Sequence, residues 1–361
     1  MSSSQGVVQR SITIEQSEWE KLQAYPRSKQ FVQVQLELDG KSYNAQLRHR
    51  GGHTLSYSKK SYEVRYGSSS GTTQILHWNA EYDDPSLMRN ALSFHFFNQI
   101  GVYSPKTKHM ELQWNGEPQG VYLEIESVDR NFFKARGLGW RSLIYAINDD
   151  ANFSLIDPDT NETKSSLFNG YEQQLGDDST QSRLVTFIRR VNRYEGSNLA
   201  KLLSNRLDTN FYLKWLAGAV LTGNYDGFEQ NYALYETPTY GRYRILPWDY
   251  EGTWGRNCYG RVCDSDLVDI RGYNVVTEKL LSFSKYRARY KTLLLELMDT
   301  AFTLDALTPV IESMHESIAE AIRGDYTRKH NFQVFAAEPS LMRRYIVERQ
   351  EIIRNELDDW E

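Results

Sequence analysis

The sequence predicts an α+β protein whose first third is rich in strands and whose second half is mainly helical. Residues 31–38, FVQVQLEL, alternate apolar and polar side chains and precede Asp39-Gly40, which is typical of a strand that enters a hairpin. From about residue 181 onward, apolar residues instead recur at helical spacing in five successive segments. This change of period along the chain is the basis of the fold-class prediction.

The N-terminal part is predicted to contain further strands and two helices. The predicted strands are 42–50, 61–66, 109–114 and 120–127, the last two joined by a hairpin turn at Asn115-Gly116. Residues 83–101 are predicted to form a helix, because Asp84 can cap it, Pro85 suits the first turn and Gly101 can end it. A short helix is predicted over 128–137.

These elements predict four segments along the chain. Residues 1–10 are expected to be a flexible N-terminus, and 11–147 a β-rich N-terminal lobe. Residues 148–180 are polar and are expected to form a long loop or insertion. Residues 181–361 are expected to form a helical C-terminal lobe, interrupted at 224–256 by a β insert with the strands YALYET and YRILPW.

Composition restricts the classes of function. The chain has 361 residues, 40% of them hydrophobic, and a formal net charge of −5. The negative charge argues against a nucleic-acid partner and is compatible with a basic protein substrate. No stretch approaches the roughly 18 apolar residues that span a bilayer, and the N-terminus lacks an apolar signal segment, so a cytoplasmic protein without membrane association is expected.

Two cysteines, Cys258 and Cys263, are spaced C-x4-C without a neighbouring histidine. This makes a poor zinc site, and two free thiols are expected in a reducing cytosol, with a local disulfide as the alternative.

Two segments bear the residues that predict chemistry. GNYDGFEQNYALYE places Asp226 and Asn231 in the spacing D-x-x-x-x-N, and RILPWDYEGTWGR places Asp249 at the end of a short strand. In protein kinases a catalytic-loop Asp orients the substrate hydroxyl, an Asn five residues later binds metal, and an Asp after a later strand binds Mg²⁺. A hairpin between Asn231 and Asp249 would bring them to the same strand end, where their oxygens could share one ion.

A lysine upstream completes the order found in kinases. Lys59 and Lys60 open the predicted strand 61–66, and such a strand lysine holds nucleotide phosphates. Gly51-Gly52 precedes them and could belong to a loop that covers the phosphates. Each residue also has a structural alternative: Asp226 and Asp249 could organise turns, and the two lysines could be solvated charges at a strand edge.

The set of motifs resembles the spore-coat kinase family CotH, an atypical protein-kinase-like family. The resemblance covers about residues 48–256 and rests on the following segments: RGGHTLSYSKKSYEVRY, LMRNALSFHFFNQIG, ELQWNGEPQGVYLEIESVDRNFF, NYDGFEQNYALYE and RILPWDYEGTWG. It implies a divergent bilobal protein-kinase-like fold, ATP as co-substrate and Mg²⁺ or Mn²⁺ as cofactor. It also implies Asp226 as the catalytic residue, Asp249 as a metal ligand and Lys60 as a phosphate contact.

The resemblance further implies serines of spore-coat proteins as substrates, in Ser-rich and basic segments, and a location at the coat on the mother-cell side. Arg50 could contact phosphate or form a structural ion pair, and Trp248 could stack on adenine or belong to the core. The sequence departs from ordinary kinases because no H-R-D frame precedes Asp226 and because the predicted helix contains no Glu to pair with the lysine. Glu111 and Glu126 are the alternative partners for Lys60.

Two other motifs are set aside. Residues 67–71 match G-x-S-x-G, but the strand-like TTQILHW follows where a hydrolase requires a helix. Residues 157–161 begin like a calcium loop, but Glu162 replaces the required glycine.

Two other functions remain open beside a Ser/Thr protein kinase. One is nucleotidyl transfer on a kinase-like fold, and the other is a non-catalytic scaffold for coat assembly.

Overall fold

The computed structural model describes residues 7–24, 26–68, 71–358 and 360. These residues form two compact units, each assembled from separate stretches of the chain. We call the first the barrel unit; it comprises the described residues up to Ala91, together with Pro105–Ser127 and Pro309–Pro339. The second, called the helical unit, comprises Leu92–Ser104, Val128–Thr308 and the described residues from Ser340 onward.

The barrel unit is built on a closed β-barrel. Within the described residues its strands are β1 (Val8–Thr13), β2 (Val32–Leu38), β3 (Lys41–Arg50), β4 (Ser61–Gly67), β5 (Thr73–Asn79), β6 (Thr107–Trp114) and β7 (Glu117–Glu126). Their order around the barrel is β1-β2-β3-β4-β5-β7-β6, and parallel pairing of β1 with β6 closes it. A helix, α1 (Gln16–Ala24), connects β1 to β2.

Alternation along the strands gives the barrel its core. In β2 every second residue is buried, so Val32, Val34, Leu36 and Leu38 face inward. The hairpin turn at Asp39-Gly40 is present as predicted, and both of its residues have positive φ, as a tight two-residue turn requires.

The predicted flexible N-terminus, 1–10, is wrong for Val8–Arg10, which belong to β1. This strand pairs with two neighbours, and a single six-residue segment does not reveal such long-range pairing. Residues 1–6 lie outside the described residues.

The helical unit and the stretches next to it contain most of the helices. In the described part of the chain these are α2 (Arg89–Gln99), α3 (Arg130–Ala135), α4 (Thr180–Arg193), α5 (Gly196–Arg206), α6 (Thr209–Thr222), α7 (Val275–Leu281), α8 (Ser284–Thr300), α9 (Leu304–Gly324) and α10 (Phe332–Asp358). A second, antiparallel sheet comprises β8 (Ser142–Ala146), β9 (Tyr171–Leu175), β10 (Tyr232–Glu236) and β11 (Tyr243–Pro247) in the order β11-β10-β8-β9. None of the described helices is long and apolar enough to cross a membrane.

The α+β class is therefore confirmed, but the predicted lobe boundary at residue 147 differs from the structure. Residues 142–146 form β8, which pairs with β10 and so belongs to the helical unit. Pro309–Pro339, predicted as part of the C-terminal lobe, belongs to the barrel unit. Residues 148–180, predicted as a loop or insertion, also contain β9.

Several helix boundaries differ from the prediction for local reasons. The helix predicted over 83–101 begins only at Arg89, because the buried carboxylate of Asp84 accepts hydrogen bonds from the backbone N–H groups of Ser86 and Arg89. The same carboxylate forms a 2.6 Å ion pair with the Arg89 guanidinium. A continuous helical pattern after 200 is divided at Asp208, whose side chain caps α6 by accepting from the N–H of Phe211.

Helix α6 is the central element behind the candidate site. It is buried along most of its length, and Gly218 allows the ring of Phe97 to approach so closely that a Cβ would lie 2.3 Å from it. The helix ends at Gly223, which has a φ of 73°. The chain then turns immediately into the segment that contains Asp226.

Candidate functional site

Asp226 lies in a short 3-10 turn, Tyr225–Gly227, directly after α6. Its two carboxylate oxygens accept hydrogen bonds from the side-chain amides of Gln230, at 2.7 Å, and Asn231, at 2.8 Å. Asp226 is half-buried, and no arginine or lysine forms an ion pair with it among the described residues. The carboxylate is therefore oriented by amides, and no cationic side chain of the described residues contacts it directly.

Asn231 and Asp249 lie at the same end of the second sheet. Asn231 precedes β10 and Asp249 follows β11 by two residues, and the antiparallel register pairs Tyr232 with Pro247. Asn231 has φ 57° and Asp249 has φ 56°, a left-handed conformation that these residue types tolerate better than most. The N–H of Trp248 donates to the carbonyl of Asn231 at 3.1 Å, which fixes the two segments together.

A second contact connects the Asp249 segment to the Asp226 segment. The amide of Asn224, which is buried, donates to the Asp249 carbonyl at 3.4 Å. Asp226 in turn accepts from Asn231, so a hydrogen-bonded pair, Asp226 and Asn231, lies at the same end of the sheet as Asp249, whose backbone carbonyl accepts from Asn224. We call Asp226, Asn231 and Asp249 the Asp226 group; all three belong to the helical unit. Their catalytic and metal-binding roles stay predictions.

The surroundings of this group are negatively charged. Burial, and then the carboxylates of Asp226, Glu251 and Asp249, raise the pKa of the Cys258 thiol to about 11. The pKa of Glu229 is raised first by burial and then by the charge of Asp149, with Lys164 opposing and Asp226 adding to the effect. A site with this many carboxylates favours a cation.

The donor set fits a hard divalent ion such as Mg²⁺, which prefers a few carboxylate or amide oxygens together with waters and phosphate oxygens. No group of three or more His, Cys, Asp or Glu side chains is arranged to hold a metal in the part of the chain that the structure describes. Asp249 and Asn231 would therefore hold an ion only in partnership with phosphate oxygens and water.

Trp248 and Cys258 lie near this group. The Trp248 ring is half-buried and stacks on Tyr145, with centroids 5.9 Å apart and planes inclined by 23°. Cys258 and Cys263 are not joined in a disulfide, in agreement with the expected thiols.

Lys60 and Arg50 belong to the barrel unit. The Lys60 ammonium donates to the carbonyl of Leu55, at 2.5 Å, and to that of Tyr57. It thereby fastens the loop between β3 and β4. The guanidinium of Arg50 donates to the side chain of Asn79.

The two glutamates predicted as partners of Lys60 have other contacts. Glu111 accepts from Gln9, and Glu126 accepts from the backbone N–H of Lys106 at 3.0 Å. Neither receives a hydrogen bond from Lys60 within the described residues, because the Lys60 side chain turns toward its own loop. That part of the prediction is wrong.

The buried lysine–carboxylate pair of the barrel unit is formed by Lys59 instead. Its ammonium lies 3.1 Å from the Asp325 carboxylate and donates to the carbonyl of Val121 at 2.7 Å, and it sits 4.6 Å from the centre of the Tyr122 ring. The side chains of Lys59 and Asp325 are 4% and 0% exposed. The alternative reading of Lys59 as a solvated edge charge is therefore wrong.

Burial lowers the pKa of Lys59 to about 8, although the charge of Asp325 opposes the shift. For Asp325 burial acts to raise the pKa, but Lys59 and hydrogen bonds from Thr327 and Val121 outweigh it and the pKa is lowered. Sequence reasoning missed this pair because its members are 266 residues apart and no local pattern marks Asp325.

Known proteins resemble the chain over most of its length. The family model described as CotH kinase protein matches residues 47–353. Inner spore coat protein H of Bacillus subtilis (strain 168) is 37% identical over 329 residues, covering 90% of this chain and 91% of that protein. An inner spore coat protein H-like protein of the same organism is 29% identical over 300 residues, covering 83% and 86%.

Among solved structures, the proinflammatory kinase CtkA of Helicobacter pylori aligns with a TM-score of 0.32 and 11% identity, covering 80% of this chain and 90% of that one. The family match spans well over half of the chain and agrees with the motifs around Asp226 and Asp249. The predicted family membership is confirmed, and the chain belongs to the CotH kinase protein family.

Proposed function

We propose that this CotH family member is an ATP-dependent Ser/Thr protein kinase that phosphorylates spore-coat proteins with the help of Mg²⁺ or Mn²⁺. The observation that carries the proposal is the location of the hydrogen-bonded pair Asp226 and Asn231 at the same sheet end as Asp249, in negatively charged surroundings. The family description and the coat-protein relatives support it. A divergent bilobal kinase-like arrangement is part of the same proposal.

In the proposed reaction the Asp226 carboxylate accepts a hydrogen bond from the substrate seryl hydroxyl. The hydroxyl oxygen forms a bond to the γ-phosphorus while the bond from that phosphorus to ADP breaks, and the seryl proton passes to Asp226. The amides of Gln230 and Asn231 hold the carboxylate at a fixed angle, so that little reorganisation is needed. A bound divalent ion, held by Asn231 and Asp249, would neutralise phosphate charge.

The nucleotide contacts are proposals of a different kind, because they rest on the family resemblance. Lys60 and Arg50 are proposed to contact the phosphates, and Trp248 is proposed to stack on adenine. Lys60 already fastens the loop between β3 and β4 through two carbonyls, which would keep that loop in one conformation. Lys59, with its partner Asp325, is proposed to support this end of the barrel unit.

A groove in the helical unit supports basic polypeptides as substrates. It includes Glu229, three residues after Asp226, and Tyr273, which packs edge-on against Tyr225. Five acidic residues line it against three basic ones, the acidic ones being Asp157, Glu195, Glu229, Asp269 and Glu278. Ser-rich, basic coat-protein segments are therefore the proposed partners, with a location at the coat on the mother-cell side.

The test compares Asp226→Asn and Asp249→Asn with the wild-type chain in transfer of labelled phosphate from ATP to a basic serine peptide. Each variant should retain its circular dichroism spectrum and lose at least about 100-fold in rate, because positioning and charge neutralisation supply most of the acceleration. Asp264→Asn, a change of an exposed acid in a surface loop, is the matched control and should keep full activity. Unchanged rates in the first two variants would contradict the assignment.

The same samples discriminate the rival functions. Intact mass of the modified peptide separates a phosphoryl from an adenylyl adduct, and the proposal requires the phosphoryl mass. Calorimetry with ATP and Mg²⁺ should show binding, whereas a non-catalytic scaffold should show none.

A further inference from the structure

Three arginines from separate elements converge on one buried glutamate at the far end of β10. The Glu236 side chain is 0% exposed, and its Oε2 accepts from Nε of Arg183, in α4, at 2.9 Å. Its Oε1 accepts from Nη2 of Arg206, at the end of α5, at 3.0 Å, and lies 3.6 Å from Nη1 of Arg141, just before β8. All four residues belong to the helical unit.

The cluster contains more positive charge than Glu236 needs. Three guanidinium groups face one carboxylate, and the additional acid, Asp177, pairs only with Arg183 from a side chain that is 59% exposed. Counting both acids still leaves one uncompensated positive charge. One guanidinium neutralises the charge of Glu236 and Asp177 offsets a second, so the charge of the third is not balanced within the cluster.

Two of the three arginines are partly exposed to solvent. The side chains of Arg141 and Arg206 are 42% and 27% exposed. Gly241, with φ 58°, lies in the β10–β11 turn, and a Cβ there would be 3.0 Å from Oε1 of Glu236, 3.1 Å from Nη1 of Arg206 and 3.2 Å from Nη1 of Arg141. Because glycine has no side chain, the turn passes close to both guanidinium groups and to the Glu236 carboxylate without a clash.

Glu236 also holds the arginines in place before any ligand arrives. Its Oε2 accepts from the Ser142 hydroxyl at 3.2 Å, so the carboxylate that orients the arginines is itself fixed. The guanidinium of Arg206 also lies 5.4 Å from the centre of the buried Tyr243 ring. Pre-oriented guanidinium groups bind tetrahedral oxyanions with little loss of side-chain entropy.

This cluster is distinct from the Asp226 group. Glu236 is the last residue of β10, whereas Asn231 precedes its first residue, Tyr232. At roughly 3.3 Å per residue, the four steps along β10 separate the two ends by about 13 Å. The sheet therefore has an acidic end and a basic end.

We propose that Arg141, Arg183 and Arg206 form a binding site for a phosphate monoester dianion, such as the side chain of a phosphoserine. A phosphate monoester brings negative charge to a cluster that retains one uncompensated positive charge, and its oxygens can accept from the partly exposed guanidinium groups of Arg141 and Arg206. The site does not depend on phosphoryl transfer by this chain, so it can be tested by binding alone.

The experiment is calorimetric titration of the full chain with a short phosphoserine peptide, the same peptide without phosphate, and inorganic phosphate. The phosphoserine peptide should bind, the unmodified peptide should bind at least about 10-fold more weakly, and added salt should weaken the phosphate-dependent part. If inorganic phosphate binds and the phosphoserine peptide does not, the ligand of this site is free phosphate rather than a phosphorylated polypeptide.

Variants separate this site from any other phosphate site. Arg141→Gln should raise the dissociation constant at least about 10-fold without loss of folding, because this side chain is exposed and 3.6 Å from Glu236. Arg206→Gln should act in the same direction. Arg189→Gln, an equal charge change at an exposed position of α4, is the matched control and should stay within about twofold. If neither phosphate ligand binds, or if Arg141→Gln and Arg206→Gln bind like the control, the proposal is overturned.

Discussion

Lys59 and Lys60 are neighbours in sequence, but their ammonium groups have different partners. Lys59 is buried against the carboxylate of Asp325, while Lys60 is half-buried and donates to carbonyls of its own loop. A buried carboxylate that loses its cation keeps its full desolvation cost, whereas a carbonyl that loses one donor can find water. The two residues should therefore contribute very differently to stability.

Lys59→Met should lower the free energy of unfolding by about 3–5 kcal/mol, because it leaves Asp325 buried and unpaired. Lys60→Met is the matched control and should cost about 1 kcal/mol. Urea titration followed by circular dichroism measures both. The double change Lys59→Met with Asp325→Asn should recover part of the loss. Equal losses for the two single variants would refute the assigned difference.

The pKa of the Cys258 thiol depends first on burial and then on the negative charge of Asp226, Glu251 and Asp249. Its pKa of about 11 leaves about one thousandth of the thiol ionised at pH 8, so alkylation by iodoacetamide should be slow. Because a raised thiol pKa delays ionisation, the rate should increase about tenfold per pH unit and level off only near pH 11. In a Cys263→Ser background, Glu251→Gln should lower the midpoint, which is the pH at which the alkylation rate reaches half of its maximum. A midpoint near 9 in the unaltered site would contradict the assigned environment.

At the scale of single elements, local sequence patterns predicted many strands and helices but few of their ends. The turns at Asp39-Gly40 and Asn115-Gly116 could be predicted, because tight hairpin turns need positive φ at both residues and Asp-Gly and Asn-Gly pairs adopt it easily. The start of α2 could not be predicted from the sequence, because it depends on the buried contacts between Asp84 and Arg89 rather than on helix propensity. The start of α10 also differs from the predicted start at residue 337. The helix begins at Phe332, so Pro339 lies within it rather than in its first turn.

Gly218 tests whether packing or propensity determines stability in α6. Propensity alone predicts that Gly218→Ala stabilises an interior helical position by about 0.5–1 kcal/mol. The ring of Phe97 would lie 2.3 Å from the new Cβ, so we expect destabilisation by about 1–3 kcal/mol instead. Gly324→Ala, at the end of α9 with open space around it, is the control and should be neutral or stabilising. Thermal unfolding of both variants decides between the two effects.

At the scale of the whole molecule, the proposed nucleotide and metal sites predict ligand-dependent stability. A ligand that binds only the folded chain at about 100 times its dissociation constant stabilises it by about 2.7 kcal/mol. ATP with Mg²⁺ should therefore raise the melting temperature, and chelation of the metal should reverse the shift. Asp249→Asn should remove the metal-dependent part, whereas the control Asp264→Asn should retain it. No shift at saturating ATP and Mg²⁺ would favour the scaffold function.

The sequence by itself determined the α+β class, the family and the order of the candidate residues Asp226, Asn231 and Asp249. Those features are local, because they depend on periodicity, turn chemistry and short spacings. Even the common location of Asn231 and Asp249 followed from the hairpin between them.

Only the tertiary structure decided which distant segments meet. The closure of the barrel by β1 and β6, the pairing of Lys59 with Asp325, and the convergence of three arginines on Glu236 all join residues with no common local pattern. Burial then set the chemistry of these groups, since a lysine's pKa and a carboxylate's need for a cation depend on what surrounds them after folding. Sequence spacing locates such residues along the chain, but long-range packing selects their partners.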